Sequence, residues 1–332
     1  MTALTVGAGQ QFMTVAAAVA VARPGDTVQI QGGTYTNDFP VAINGLAIEG
    51  VDGQVRLVAT RQPPNAKAYL DVVGGNTTLR NLDISGVTVP DQVGAGVRCE
   101  GGSLTLDHVH LHGNENGLFG TYTDPSAHVT IHNSEIDHNG VQPTVPGAVN
   151  SHNIYIAGAI GIFALSGSYV HDANVGHEVK SRAENTIIEN NRIFDNQGTS
   201  SYSIDLPQGG DATIAGNVIE QSPNGQNPTI IAYGEESSVF GARAGTSVTF
   251  TGNTVVNDMT AHAPRLFWNT GGKIGASNNT LYGITPAQLG MANFGFAFTA
   301  ARPELDTNPH VTASSRSAPP SDADPRGTDA NR

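Results

Sequence analysis

A short pattern, apolar-x-Asn/Gly-Asn-x-apolar, recurs along the chain and restricts it to folds that stack one small unit on the next. It stands at Ile188–Ile193, Ile214–Ile219, Phe250–Val255 and Ala276–Leu281. Looser copies occupy Leu79–Ile84, Leu106–Leu111, Ile131–Ile136 and Leu165–Val170. The interval is about 23 to 27 residues with two longer steps, which falls in the range of solenoid repeats. A helical repeat would show a period of 3.6, whereas each copy alternates with period two and then bends at Asn or Gly. Strand and turn therefore repeat together. Stacked strands put equivalent residues about 4.8 Å apart, so Asn191, Asn217, Asn253 and Asn279 can form a hydrogen-bonded ladder along the axis. The competing reading is that Asn only marks turns.

Composition narrows the class further. Forty glycines with 14% charged residues indicate a turn-rich β protein. A net charge of -13 and the lack of any Lys/Arg cluster argue against a nucleic-acid surface, and leave a polysaccharide or oligosaccharide as the partner easiest to accommodate. Cys99 is the single cysteine, so packing and hydrogen bonds must hold the fold. Met13–Ala22 resembles the apolar core of a signal peptide but lacks a basic flank and runs into a turn and strand, so it is expected to be a short capping helix. No recognisable signal peptide is present, and secretion or a periplasmic location would require a missing leader. No apolar run approaches the roughly 18 residues that span a membrane.

This repeat, with Gly25–Ile30 following the Ala-rich segment, resembles the right-handed parallel β-helices of the pectate-lyase-like superfamily over roughly residues 10 to 290. The resemblance implies an all-β, right-handed parallel β-helix with a short N-terminal capping helix that shields the first coil's open edge. The expected domain is 1–310, with Ala287–Leu305 and its Phe294, Phe296 and Phe298 folding over the far end. A disordered tail is expected over 311–332, which has no apolar anchor.

Each coil also carries a second alternating strand upstream of its Asn turn. If Val179, Ile204 and Ala232 point inward, strand alternation turns Arg98, Tyr155, Lys180, Asp205, Tyr233 and Trp268 outward as one column. Positions two residues along the strands add Asn153, Glu178, Arg182, Ser203 and Glu235. Long loops at Asn139–Ser151, Asp195–Ser201, Gln221–Pro228 and Asp258–Pro264 enter from one side, and His152 and His177 stand where they meet the strands. Such a face suits a polymeric sugar. Lys180, Arg182, His177, Tyr155, Asp205 and Glu178 are the catalytic candidates, and His152, Asn153, Tyr202, Ser203, Tyr233, Glu235 and Trp268 the substrate-binding ones. The plainer reading is that outward positions of any solenoid are polar, with Lys180 and Asp205 a surface ion pair.

Three reactions compete for this face. β-Elimination of a uronate needs a base for the proton α to a carboxylate and a cation to offset that carboxylate. Lys180 is the expected base only if its pKa falls. Glu178 and Asp205 oppose that and leave Tyr155, Tyr233, His152 and His177 as alternatives. Glu178–Ser181 followed by Asn185-Thr-Ile-Ile-x-Asn is similar to the segment carrying the catalytic Lys in alginate and chondroitin lyases of the chondroitinase B type. That resemblance implies Lys180 as base and calcium as a possible cofactor; the family's Arg-His-Gly segment is absent. Gly176 to Gly210 also looks like a bacterial group of β-helix repeat proteins without an assigned activity. Inverting hydrolysis would pair Glu178 with Asp205 at roughly 8 Å, though the three-Asp pattern of polygalacturonase-type hydrolases is missing. Epimerisation would need a signature that Asp124-Pro125-Ser126 does not match. A non-catalytic carbohydrate-binding or assembly module remains the rival class. On another face, His108, His110 and His112 alternate, and stacking brings His112, Asp137 and His171 into one column. Coils rarely align well enough for metal ligation, so no metal site is assigned from sequence. Oligomeric state is not legible.

Overall fold

The computed structural model describes residues 1–146, 150–260, 262–292 and 294–305, and the expected tail at 311–332 lies outside them. The repeat does two jobs at adjacent positions. Its first Asn/Gly position is left-handed in every copy: Asn81, His108, Asn133, Asn190 and Asn278 have φ of 50 to 57°, and Gly167, Gly216 and Gly252 of 55 to 65°. Glycine and short polar residues take this region at low cost, so they recur there. The second position is the ladder. Asn191 Nδ2 donates to Asn217 Oδ1 at 3.0 Å, Asn217 to Asn253 at 3.0 Å and Asn253 to Asn279 at 3.1 Å. Each amide also donates to the carbonyl of Leu165, Ile188 or Ile214, so the buried turn is left with few unpaired groups. Ser134 and Ser168 take the ladder position in earlier coils.

Strands on the two sides of this turn form two faces. They belong to one 20-stranded sheet, because the long strands Thr27–Thr36 and Ala47–Val58 pass from one face to the other. The third face is a separate nine-stranded sheet. Six consecutive strands of it, ending at its edge, are Asn116–Tyr122, Ile154–Gly158, Val179–Ser181, Ile204–Leu206, Thr229–Tyr233 and Arg265–Asn269. All of them pair in parallel. Val179, Ile204, Ile231 and Phe267 are in register and point into an apolar interior filled by residues such as Phe163, Phe250 and Leu165. The fold is the expected all-β parallel β-helix.

The N-terminal helix, Val15–Val21, buries Val15, Ala18 and Val19 on the core of the first coil. Thr14 Oγ1 accepts from Ala17 N at 3.2 Å, and the Asp38 carboxylate accepts from Val15 N at 2.5 Å and Ala16 N at 3.0 Å. These acceptors satisfy the N–H groups that a helix start leaves open. At the other end Phe296–Thr299 adds a parallel strand to Asn279–Tyr282. Phe296 packs on the core, while Phe294 and Phe298 remain exposed. Among the described residues no helix is long and apolar enough to cross a membrane.

A second ladder closes the corner ahead of the third face. Asn114 Nδ2 donates to Asn139 Oδ1 at 3.1 Å, Asn139 to Asn153 Oδ1 at 2.9 Å, and Asn153 to Glu178 Oε2 at 2.5 Å. Glu178 also accepts from Ala173 N at 2.9 Å. Asn153 and Glu178 are thus fully buried structural groups, which corrects their expected place on the outward face. Alternation fails for them because the strands begin at Ile154 and Val179, one residue after the chain has turned the corner. Ser203, the equivalent residue one coil on, is likewise buried.

Candidate active site

The outward column of the third face runs Arg98, Phe119, Tyr155, Lys180, Asp205, Ala232 and Trp268. Tyr233 is a correction. It pairs with Leu206 rather than Asp205, points inward, and its hydroxyl donates to Gly210 O at 2.7 Å. A one-residue change of register moves a side chain to the other face, and Thr229–Tyr233 has enough apolar residues to fit either register. Phe119, which the sequence reading omitted, stacks on Tyr155 with centroids 5.3 Å apart, and the Arg98 guanidinium lies 4.7 Å from its ring centroid.

Lys180 and Arg182 form the centre of a trough of about 520 Å³ lined also by His152, Tyr155, His177, Glu236 and Phe240. A second recess, lined by Tyr155, Arg182, Gln208, Phe240 and Arg243, continues it past Arg182. Lys180 Nζ lies 2.7 Å from Asp205 Oδ2 and 3.2 Å from Glu236 Oε1. Arg182 donates Nε–H to the Tyr155 hydroxyl at 3.0 Å and pairs through its Nη2 with Glu236. Burial opposes the charge on Lys180, but Asp205 and Glu236 outweigh it and carry its pKa above the ordinary lysine value. Lys180 is therefore a fixed cation at neutral pH.

His152, His177 and Tyr202 stack along the axis, at 4.8 and 4.9 Å between rings. Each histidine accepts a backbone N–H at Nδ1: His177 N on His152 at 2.9 Å, Tyr202 N on His177 at 3.1 Å. An Nδ1 that accepts carries no proton, so each ring is neutral with its hydrogen on Nε2. Burial, joined by the charge of Lys180, holds both well below the ordinary histidine range. His177 Nε2 meets Asp205 Oδ2 at 3.2 Å. Burial and the adjacent Asp205 push Glu235 up to about 9, so Glu235 keeps its proton at neutral pH. Burial and then Asp195 raise Glu178 well above the carboxylate range. Trp268 ends the column, 39% exposed and edge-on to Tyr202 at 6.5 Å.

The structure thus gathers Tyr155, Lys180, Arg182, His152, His177, Asp205, Tyr202, Glu235 and Trp268, and sets Glu178, Asn153, Ser203 and Tyr233 aside. Glu236, Phe240, Gln208 and Arg243 complete the site from beyond the strands. Glu236 and Phe240 come from the segment around the short helix Ser237–Phe240, downstream of Thr229–Tyr233. One signal for this insertion exists in the sequence: the ladder step from Asn217 to Asn253 is 36 residues, against 26 for those on either side.

Stacked parallel coils with an open trough on one sheet define the class of right-handed parallel β-helix proteins. The chain belongs to the family described as "right handed beta helix region", whose model matches residues 44–281. No curated protein matches the sequence. Among solved structures, the chain is similar to pectate lyase Pel9A at 14% identity, covering 89% of this chain and 82% of that one with a TM-score of 0.56. It is also similar to the PL6 family alginate lyase AlyGC (14% identity, 85% and 52% covered, TM-score 0.42). A third match is the pectin methylesterase from Aspergillus niger (12% identity, 93% and 93% covered, TM-score 0.40). At these identities the likeness concerns the fold alone.

Proposed function

We propose that the trough binds a uronate-containing polysaccharide and cleaves it by β-elimination. The observation that carries this reading is the side-by-side placement of two cations, Lys180 and Arg182, with the Tyr155 hydroxyl 3.0 Å from Arg182 Nε. The cations suit the sugar carboxylate, whose charge grows as the α-proton leaves. Lys180, held protonated, acts as charge stabiliser and not as the base. In its phenolate form, its own proton released to solvent and the oxygen held by the Arg182 Nε–H, Tyr155 takes the C5 proton, the electron pair forms the C4–C5 double bond, the C4–O bond breaks, and Tyr155 returns that proton to the leaving oxygen. His152 and His177 orient the ring, and Tyr202 and Trp268 stack on neighbouring sugars.

Calcium, implied by the resemblance to chondroitinase B type lyases, fits one place in the trough. Asp205, Glu235 and Glu236 offer oxygens within 4.8 Å of one another, Asp205 Oδ1 is buried without a hydrogen-bond partner, and Glu235 would give up its proton as the ion entered. Bound there, the ion would supply further positive charge for the uronate.

A panel of uronate polymers followed by ultraviolet absorbance of the unsaturated product tests the reading. Tyr155→Phe should lower turnover by about 10²- to 10⁴-fold while retaining retardation on polymer-containing gels. Absence of product on every polymer would exclude elimination. Retained retardation would then favour the second reading, a carbohydrate-binding module, for which exposed Trp268 at the end of the column is the supporting observation. Inverting hydrolysis loses its support, because Glu178 is buried in the corner ladder.

A further inference from the structure

A second cluster lies on the face formed by Leu82–Ser85, His110–His112, Glu135–Asp137 and Tyr169–His171. Its register is fixed by the sheet. His110 is opposite Glu135, Asp137 is opposite His171, and Glu135 and Asp137 point outward two residues apart on the strand between. The long side chains reach across the diagonals. His110 Nε2 lies 2.6 Å from Asp137 Oδ1, and His171 Nε2 3.3 Å from Glu135 Oε1. Ligand atoms of His110, Glu135 and Asp137 fall within 4.8 Å of one another, as do those of Asp137, His138 and His171.

The far nitrogen of His171 is also held, and that of His110 faces a carboxylate. His171 Nδ1 lies 2.6 Å from Asp172 Oδ2, which Asn196 Nδ2 fixes at 2.8 Å. His110 Nδ1 lies 3.7 Å from Asp83 Oδ2. The carboxylate behind His171 orients its ring and makes its other nitrogen a better ligand, the arrangement found around histidine-bound zinc, and Asp83 is placed to do the same for His110 after a small shift. Asp137 and His171 are each 8% exposed, while the His110 side chain is 26% exposed, so the set is shielded but reachable.

We propose that His110 Nε2, His171 Nε2, Glu135 and Asp137 bind one zinc(II) ion, with Asp172 and Asp83 as the carboxylates behind the two histidines. Two imidazoles and two carboxylates on adjacent coils are a suitable donor set for an ion that prefers four N/O ligands near 2.1 Å. Ligands of such a tetrahedron are about 3.4 Å apart. The donors of His110, Glu135 and Asp137, within 4.8 Å of one another, and His171 Nε2, 3.3 Å from Glu135 Oε1, would close on the ion by side-chain shifts that a surface-facing array permits. The ion enters as the protons between ring nitrogens and carboxylates leave. The site is independent of the trough and makes no use of its chemistry.

The test uses untagged full-length protein, stripped with chelator and titrated with zinc sulfate, with bound metal measured by calorimetry and elemental analysis. About one zinc per chain is expected. His110→Ala and the isosteric Glu135→Gln should each weaken binding at least tenfold, while His128→Ala, on an exposed position of another face, leaves it unchanged. Thermal unfolding in chelator shows whether each variant is folded, and Glu135→Gln serves if His110→Ala is not. Cobalt(II) should give visible absorption bands of four-coordinate geometry that both variants lose. No zinc uptake by the parent, or uptake that neither substitution weakens, would overturn the proposal.

Discussion

Buried charge is the sharpest determinant at the scale of single residues. Burial raises Glu220 to about 8, while its Oε2 accepts from Asp195 N at 2.9 Å and Asn196 N at 2.7 Å. The folded protein keeps this proton where the unfolded chain loses it. Stability therefore falls as pH rises from 4.5, the ordinary value, towards about 8, and levels off above that. Glu220→Gln keeps the accepting oxygen and removes the titration. It should melt with the parent at about pH 5 and at least about 2 °C above it at about pH 8; equal melting at both pH values would show that Glu220 does not titrate this way. Residue chemistry also explains why Lys180 was legible as a central group but not in its role. Its identity, and that of Asp205 one coil on, whose charge does most to hold its proton, could be read from the pattern, whereas the second carboxylate on it, Glu236, lies 56 residues away.

At the scale of elements, the ladders carry the structure and the segment around the downstream helix lines the trough. Asn217 donates to Ile188 O and Asn253 Oδ1 and accepts from Asn191. Asn217→Ala leaves these buried partners unpaired and should cost about 2 kcal/mol or more in chemical denaturation; a cost within error would mean that the ladder contributes only turn geometry. Glu236 occupies both cations, so under the proposed function a sugar carboxylate would have to replace it. Glu236→Gln should raise affinity for an anionic polymer several-fold at low salt with little change for a neutral one, read as gel retardation. Equal affinity for the two polymers would remove Glu236 from that role. The first ladder was visible in the sequence because Asn recurs beside a turn residue. The second was hidden because its members, Asn114, Asn139, Asn153 and Glu178, share no common flanking pattern.

For the whole molecule, the open end of the solenoid is the weak point, since an uncovered coil exposes both core and strand edge. Ala18, on the inner face of the N-terminal helix, is fully buried. Ala18→Asp places a charge there and should lower the melting temperature by several degrees and promote association, visible by light scattering during heating. A variant that melts with the parent would show that the helix is not the lid. By itself the sequence determined the coil repeat, the turn at Asn or Gly, the Asn ladder and the capping helix, because each rests on chemistry local to one coil or repeated at the same place in the next. The tertiary structure decided the register at Tyr233, the burial of Glu178 and Asn153, the arrival of Glu236 over Lys180 and Arg182, and the meeting of His110 and His171 around Asp137. Those outcomes depend on where the chain turns its corners and on how far a loop reaches across coils, distances that no local pattern encodes.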